Sequence, residues 1–360
     1  MVRIVTSAAV AVAGALVLGA VAISGQGGSA RQGPQGPFKP HPSTQEPSRL
    51  VTIAKLKQWE KELSNWGRWG KDDERGLLNL ITPEKTKQAV GLVKTGTTVT
   101  LQHNPIKKTG SDTGGFGENV HRMWRLDPKT GEALSAIDIL QISIHDGLSS
   151  HMDALCHYQG PLGVKPGEPR HAYNGHPFKL LATGCQEAAA DRMGPGYVTR
   201  GVLYDMALLK GVKYLEPSTP IYAEDLEAFE KMSGVKVGAG DALMIRGGRW
   251  ALRAEQGPWA YGQGGAGIHA SVLPWLKARD VSMLISDAVN DVQPSGVQGI
   301  NRPVHQLTQV NLGLPIVDNA YLEDAAAEAA RLKRWEFMFT LSIYRAEGAT
   351  ASPFNALATF

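Results

Sequence analysis

The sequence predicts an α/β fold in which a mixed sheet is surrounded by helices. Three observations carry this. Short apolar runs such as Ala242–Arg246 and Val281–Ser286 read as buried strands. Stretches with apolar residues at helical spacing, such as Ile221–Met232, lie between them. The two kinds do not alternate strictly, and no G-x-G-x-x-G follows a strand, so a doubly wound dinucleotide-binding sheet is not expected.

The 360 residues are 42% hydrophobic and 20% charged, which describes a globular chain long enough for one large domain or two ordinary ones. A net charge of +3 and the lack of a basic cluster with interleaved aromatics give no support for nucleic-acid binding. The two cysteines, Cys156 and Cys185, form no C-x-x-C, which excludes a structural zinc finger. A Cys156–Cys185 disulfide and a buried free thiol both stay open.

Residues 1–30 read as a secretory signal peptide: Arg3, an uncharged run from Ile4 to Ile23, then Gly28-Ser29-Ala30. An uncleaved membrane anchor is the alternative reading, and export to the periplasm or medium is the expected location. Residues 31–48 are rich in Gly, Pro, Gln and Ser and read as a linker before a domain over 50–360. Leu56, Trp59 and Leu63 mark a helix over 50–65. Trp66 and Trp69, beside glycines, either line a pocket or pack a loop onto the core. Thr82-Pro83-Glu84 opens a helix to Val93, and Thr97–Leu101 is a strand. Residues 104–120 are a Gly-rich polar loop.

The stretch Ile137–Tyr158 organises the rest. Its β-branched start predicts a buried strand, and it ends in His151-x-Asp153-x-x-x-His157. His151 and Asp153 are two apart, so on an extended backbone they share a side and can hold a divalent metal. His157 lies close enough to support the ligands or to shuttle a proton. No G-x-S-x-G elbow is present, which counts against a serine hydrolase.

Beyond it, a long loop over Gly160–Pro177 carries His171 and His176. Tyr197–Tyr204 and Ala242–Arg246 read as strands, the second ending on Arg246 and Arg249. His269 starts a helix over Ile268–Arg279, and Val304–Val317 places His305 ahead of an apolar strand. Asp318-Asn319 caps a helix over Ala320–Leu332, and Phe337–Tyr344 is the last strand.

H-M-D-A-L-C-H over 151–157 resembles the H-x-D-x-P-x-H pattern of the cyclase family of metal-dependent hydrolases, which includes bacterial kynurenine formamidases and isatin hydrolases. The likeness continues in W-G-K-D-D-E-R-G-L-L-N (69–79), R-G-V-L-Y-D (200–205), G-D-A-L-M-I-R (240–246), S-D-A-V-N-D-V (286–292), V-H-Q-L (304–307) and I-V-D-N (316–319), and looks like the family's longer branch. The resemblance implies a swivelling β/β/α-type domain. It implies metal ligation by His151 and Asp153, completed by His305 and Asp318, with His157 as general acid/base. The family's first ligand, a histidine four before the second, falls here on Gly147. His145 is the nearest histidine and the candidate replacement.

The function these residues imply is hydrolysis of an amide or lactone in a small aromatic or cyclic substrate, kynurenine formamidase-like. One or two Zn2+ or Mn2+ ions would activate the water. Trp66, Trp69, Arg246 and His269 are candidate substrate contacts, Arg246 or Arg249 as an oxyanion partner. The alternative is an exported small-molecule binding protein on the same fold without turnover. A homo-oligomer is expected from the resemblance.

Overall fold

Nine strands pair into one mixed sheet, and the order of its members explains where the motif ends up. The computed structural model describes residues 32–104, 106, 110–113, 119–124, 126–127, 129–132 and 135–360. The predicted signal segment 1–30 and parts of the 104–120 loop lie outside them. Among the described residues no helix is long and apolar enough to cross a membrane.

In chain order the strands are β1 Thr98–Thr100, β2 Val120–Trp124, β3 Ile137–Gln141, β4 His151–Asp153, β5 Leu180–Leu181, β6 Gly184–Cys185, β7 Gly196–Asp205, β8 Pro220–Ile221, β9 Ala242–Arg246, β10 Gly267–Ile268, β11 Met283–Ser286, β12 Ile316–Asp318, β13 Glu336–Ser342, β14 Ala351–Pro353 and β15 Asn355–Thr359. The helices are α1 Ile53–Glu62, α2 Pro83–Val90, α3 Met206–Leu209, α4 Ala223–Ser233, α5 Arg249–Gln256, α6 Leu273–Arg279, α7 Pro303–Leu307 and α8 Glu323–Leu332.

The large sheet runs β1-β15-β13-β7-β9-β11-β12-β4-β14. Its centre, β7 to β12, is parallel, and both flanks are antiparallel. Period-2 alternation divides each central strand between two cores. Leu203, Met244, Ile285 and Val317 face a core filled by Phe337, Phe339, Phe354 and the motif residues Met152 and Leu155. Val202, Leu243, Leu284 and Ile316 face the other, covered by Leu56 and Trp59 of α1, Leu226 and Phe229 of α4, and Leu273 and Leu276 of α6. Each such side chain, fully buried, contributes about 1.5–3 kcal/mol. The continuous apolar runs read as buried strands are these central ones, covered on both faces.

Several expectations are corrected. Ile137–Gln141 is not a buried strand leading into the motif. It pairs only with β2, as a two-stranded ribbon whose residues are mostly exposed. The motif's own strand is β4, three residues long and fully buried. His305 stands on a helix, α7. Pro303 fits its first turn, and the Asp291 carboxylate accepts the free N–H groups of Val304 and His305 at 2.7 and 3.1 Å. Asp318 caps nothing: it ends β12, and α8 starts at Glu323 with Leu322 at its N-cap. Two strands, β14 and β15, follow the one read as last. The stretch read as a linker packs onto the domain. Gly33 N donates to Pro258 O at 3.0 Å, Ser43 Oγ pairs with Tyr222 OH at 2.7 Å, and Thr44 is buried. Cys156 and Cys185 form a disulfide across a separation of 29 residues, which removes the free-thiol alternative.

Candidate metal centre

The register of three strands assembles the site. In β4, His151 and Asp153 point to one side with Met152 turned into the core between them. Asp318 of β12 lies directly opposite His151. β12 and β11 end here, so the site sits at the carboxyl ends of parallel strands, where chain reversals leave a crevice.

His145 arrives by a turn. The Asp146 carboxylate accepts from the N–H groups of Leu148 and Ser149 at 2.9 and 2.5 Å, which closes the chain on itself. A Cβ on Gly147 would lie 1.7 Å from the Asp112 carbonyl oxygen and 2.7 Å from Tyr261 Cε1, so no side chain fits there. The turn is clamped from outside: Arg249 donates to Gly147 O at 2.5 Å, and Asn319 Nδ2 to Asp146 O and Ser149 O at 3.0 and 3.2 Å. The slot of the family's histidine is thus closed, and His145 reaches the centre instead.

His145 Nε2 lies 3.5 Å and His151 Nε2 3.6 Å from Asp153 Oδ1. The ligand atoms of these three residues lie within 4.8 Å of one another. His151 donates from Nδ1 to Ser149 O at 2.8 Å, so its Nε2 carries the lone pair that faces the cluster. Asp153 Oδ1 and His145 Nε2 are buried without a hydrogen-bond partner. Buried polar atoms are normally paired. A divalent cation held by these residues would satisfy both atoms, and one carboxylate with two imidazoles is a donor set that zinc or manganese accepts.

The other oxygen of Asp153 belongs to a different group. Oδ2 accepts from Gln309 Nε2 at 2.9 Å, with His305 Nε2 at 3.8 Å and His157 Nε2 at 3.9 Å. His305 donates from Nδ1 to Asp291 Oδ2 at 2.5 Å, and its Nε2 meets Asp318 Oδ2 at 3.3 Å. Asp318 Oδ1 accepts from Asn290 N and Nδ2 at 3.1 and 2.8 Å. Burial alone would lower the His305 pKa, but Asp318 and Asp291 raise it to about 10. The carboxylates on both ring nitrogens thus draw His305 toward its protonated form. Burial opposes ionisation of Asp153, yet His157, His145 and His151 hold its carboxyl below the usual carboxylate range.

His157 stacks on His145 with ring centroids 4.1 Å apart. Burial, with His145, His305 and His151 adding, lowers its pKa to about 4 against the pull of Asp153. At neutral pH it is an uncharged imidazole able to accept a proton.

The candidate substrate residues divide. Trp66 is exposed, edge-on to His171 at 5.0 Å, and donates from Nε1 to Val310 O at 2.7 Å, next to Gln309. Trp69 packs against the helix-covered core under Arg68. Arg246 is buried and paired with Asp205 and Glu323 at 2.9 and 2.5 Å, so its charge is already committed within the domain. Arg249 is buried against Tyr261 and Trp250 and clamps the Gly147 turn. His269 is fully buried, bonded to Ser271 at 3.0 Å and packed near Tyr222. Sequence reasoning did not single out Asp291, Gln309 or Asn319 individually. Asp291 stands in S-D-A-V-N-D-V and Asn319 in I-V-D-N, so the motif segments already contained two of them.

The Cyclase family model matches residues 98–290. A crystal structure described as a novel cyclase superposes with a TM-score of 0.71 at 26% identity, covering 84% of this chain and 99% of that one. Isatin hydrolase A from Ralstonia solanacearum superposes with a TM-score of 0.50 at 17% identity, covering 75% and 93%. No curated protein matches the chain.

Proposed function

The chain belongs to the cyclase family of metal-dependent hydrolases, and from that premise we propose that it hydrolyses an amide or lactone of a small cyclic or aromatic compound. The observation that carries this is the convergence of His145, His151 and Asp153 on two buried, unpartnered polar atoms. These three residues would hold one Zn2+ or Mn2+ ion. A second ion on Asp153 Oδ2 would have to displace the Gln309 amide.

A divalent ion there would supply a water whose pKa falls from about 15.7 toward neutrality and a Lewis acid for the carbonyl. The chain supplies the rest. Asp153 and the two imidazoles fix the position of attack. His157, neutral and stacked on His145, takes the water's proton and returns it to the leaving nitrogen or oxygen. Asp291 holds His305 by its ring and its backbone N–H, so the imidazole behind Asp153 is fixed in place. Exposed Trp66 and half-buried His171 offer an aromatic edge suited to a flat substrate. The Cys156–Cys185 disulfide supports an oxidising compartment, in line with the signal-like residues 1–30.

The test is metal content by mass spectrometry on the purified protein beside His145→Ala and Asp153→Asn, with turnover on a panel of amides and lactones. Stoichiometric metal in the wild type and its loss in both variants is expected. His157→Ala should keep the metal and lower kcat by about 10²–10⁴-fold. Tight ligand binding without turnover across the panel would sink the hydrolase reading in favour of a binding protein.

A further inference from the structure

Arg302 stands apart from the other arginines. Among the described residues, every other buried or half-buried arginine donates to a carboxylate, hydroxyl, amide or carbonyl. Arg200, Arg246, Arg253 and Arg279, for example, pair with Asp241, Asp205, Asp112 and Glu230. Arg302 is half-buried and makes no side-chain hydrogen bond or ion pair. It stands at the start of α7, one turn before His305, and only its carbonyl is used, accepting from Gln306 N at 3.1 Å. Its Nη2 lies 3.6 Å from where a Cβ on Gly262 would be, so it sits against the glycine-rich loop that also carries Tyr261.

The guanidinium is within electrostatic reach of Tyr158, Asp318, Asp291 and Tyr261. The two acids have no need of it. Asp291 is filled by Val304 N, His305 N and His305 Nδ1, and Asp318 by Asn290 and His305. Tyr158 bridges the two halves of the site. Its ring lies 5.1 Å from His157 and 5.3 Å from His305, its N–H donates to Gln309, and its hydroxyl makes no hydrogen bond. A planar fork of N–H donors without a protein partner thus stands at the start of the helix that carries His305, and a phenol without one lies between His157 and His305.

We propose that Arg302, aided by the Tyr158 hydroxyl, recognises a carboxylate of the substrate distinct from the scissile carbonyl, so that the preferred substrates are carboxylate-bearing amides or lactones. This rests on the hydrolase reading above. A guanidinium matches a carboxylate in a two-point contact that a neutral amide cannot reproduce.

The experiment is calorimetric titration of the full-length protein, saturated with Mn2+, with benzoate and with benzamide. The wild type should bind benzoate about 10–100-fold more tightly, as charge-assisted hydrogen bonds give. Arg302→Met should remove that preference with metal content unchanged, and Arg302→Lys should restore part of it. Tyr158→Phe should weaken benzoate by about three-fold and leave benzamide alone. An equal preference in Arg302→Met, as when benzoate sits only on the metal, overturns the proposal. So does equal binding of the two probes by the wild type. In turnover, Arg302→Met should raise KM for carboxylated substrates and spare kcat. A lack of turnover with the benzoate preference intact sinks the hydrolase reading alone, and equal kcat/KM for carboxylated and neutral analogues sinks the Arg302 assignment alone.

Discussion

Two His–Asp pairs in this molecule use the same atoms and differ in almost everything else. On the exposed β2–β3 ribbon, His121 Nε2 pairs with Asp138, their side chains 33% and 51% exposed. In the metal centre, His305 Nδ1 pairs with Asp291, at 3% and 1%. Water competes for the first pair, and such contacts are worth about 0–1 kcal/mol. The second pair is closed off from water, and Asp291 also accepts two backbone N–H groups from the helix that carries its partner. Residue type does not distinguish the two. Their burial does.

That contrast can be tested in descending order of effect. Asp291→Ala should cost about 3–5 kcal/mol, because it leaves a buried charge without its partner, and it should uncap α7 as well. Denaturant unfolding would read the loss. A cost below 1 kcal/mol would erase the contrast. Gly147→Ala should cost about 1–3 kcal/mol by forcing a methyl into the Asp112 carbonyl. It should also weaken metal binding by moving His145, and unchanged metal affinity would show that the turn does not position that residue.

A third test uses pH. Burial, with Arg49 adding, lowers the His269 pKa from 6.5 to about 4. Between those values the unfolded chain binds the proton and the folded one does not, so stability is full above pH 6.5 and falls as pH drops toward 4. His269→Gln should flatten part of the fall in denaturation midpoint between pH 7.5 and 5. An unaltered slope would remove His269 as its source. The smallest effect belongs to the ribbon: Asp138→Asn should shift stability by less than about 0.5 kcal/mol, and a larger loss would mean that the ribbon pair is protected from water after all.

The same contrast explains what could be read from the chain. His151 and Asp153 were legible because period-2 spacing is local, and the sheet preserves it. The central strands were legible because burial on both faces leaves an apolar run. Ile137–Gln141 was misread for the same reason: a short run of isoleucines looks alike whether a sheet covers it or only one partner strand does. Asp318 looked equally suited to capping a helix, and only its pairing opposite His151 decides otherwise. His305 entered by resemblance, but its helix depends on Asp291, whose carboxylate arrives from a different connection. His145 was the hardest to read. Its place depends on a turn that the Asp112 carbonyl, Arg249 and Asn319 enforce from elsewhere in the chain.

The bond between Cys156 and Cys185 has a further consequence for how the protein meets proteases. The loop that follows His157 is long and includes exposed residues from Lys165 to Glu168. A single cut there would leave two polypeptides still tied together immediately beside the motif, with 29 positions spanned by the bridge. Such a nicked form would migrate as one band without reductant and as two with it, while the residues around Asp153 stayed where β12 and β14 hold them.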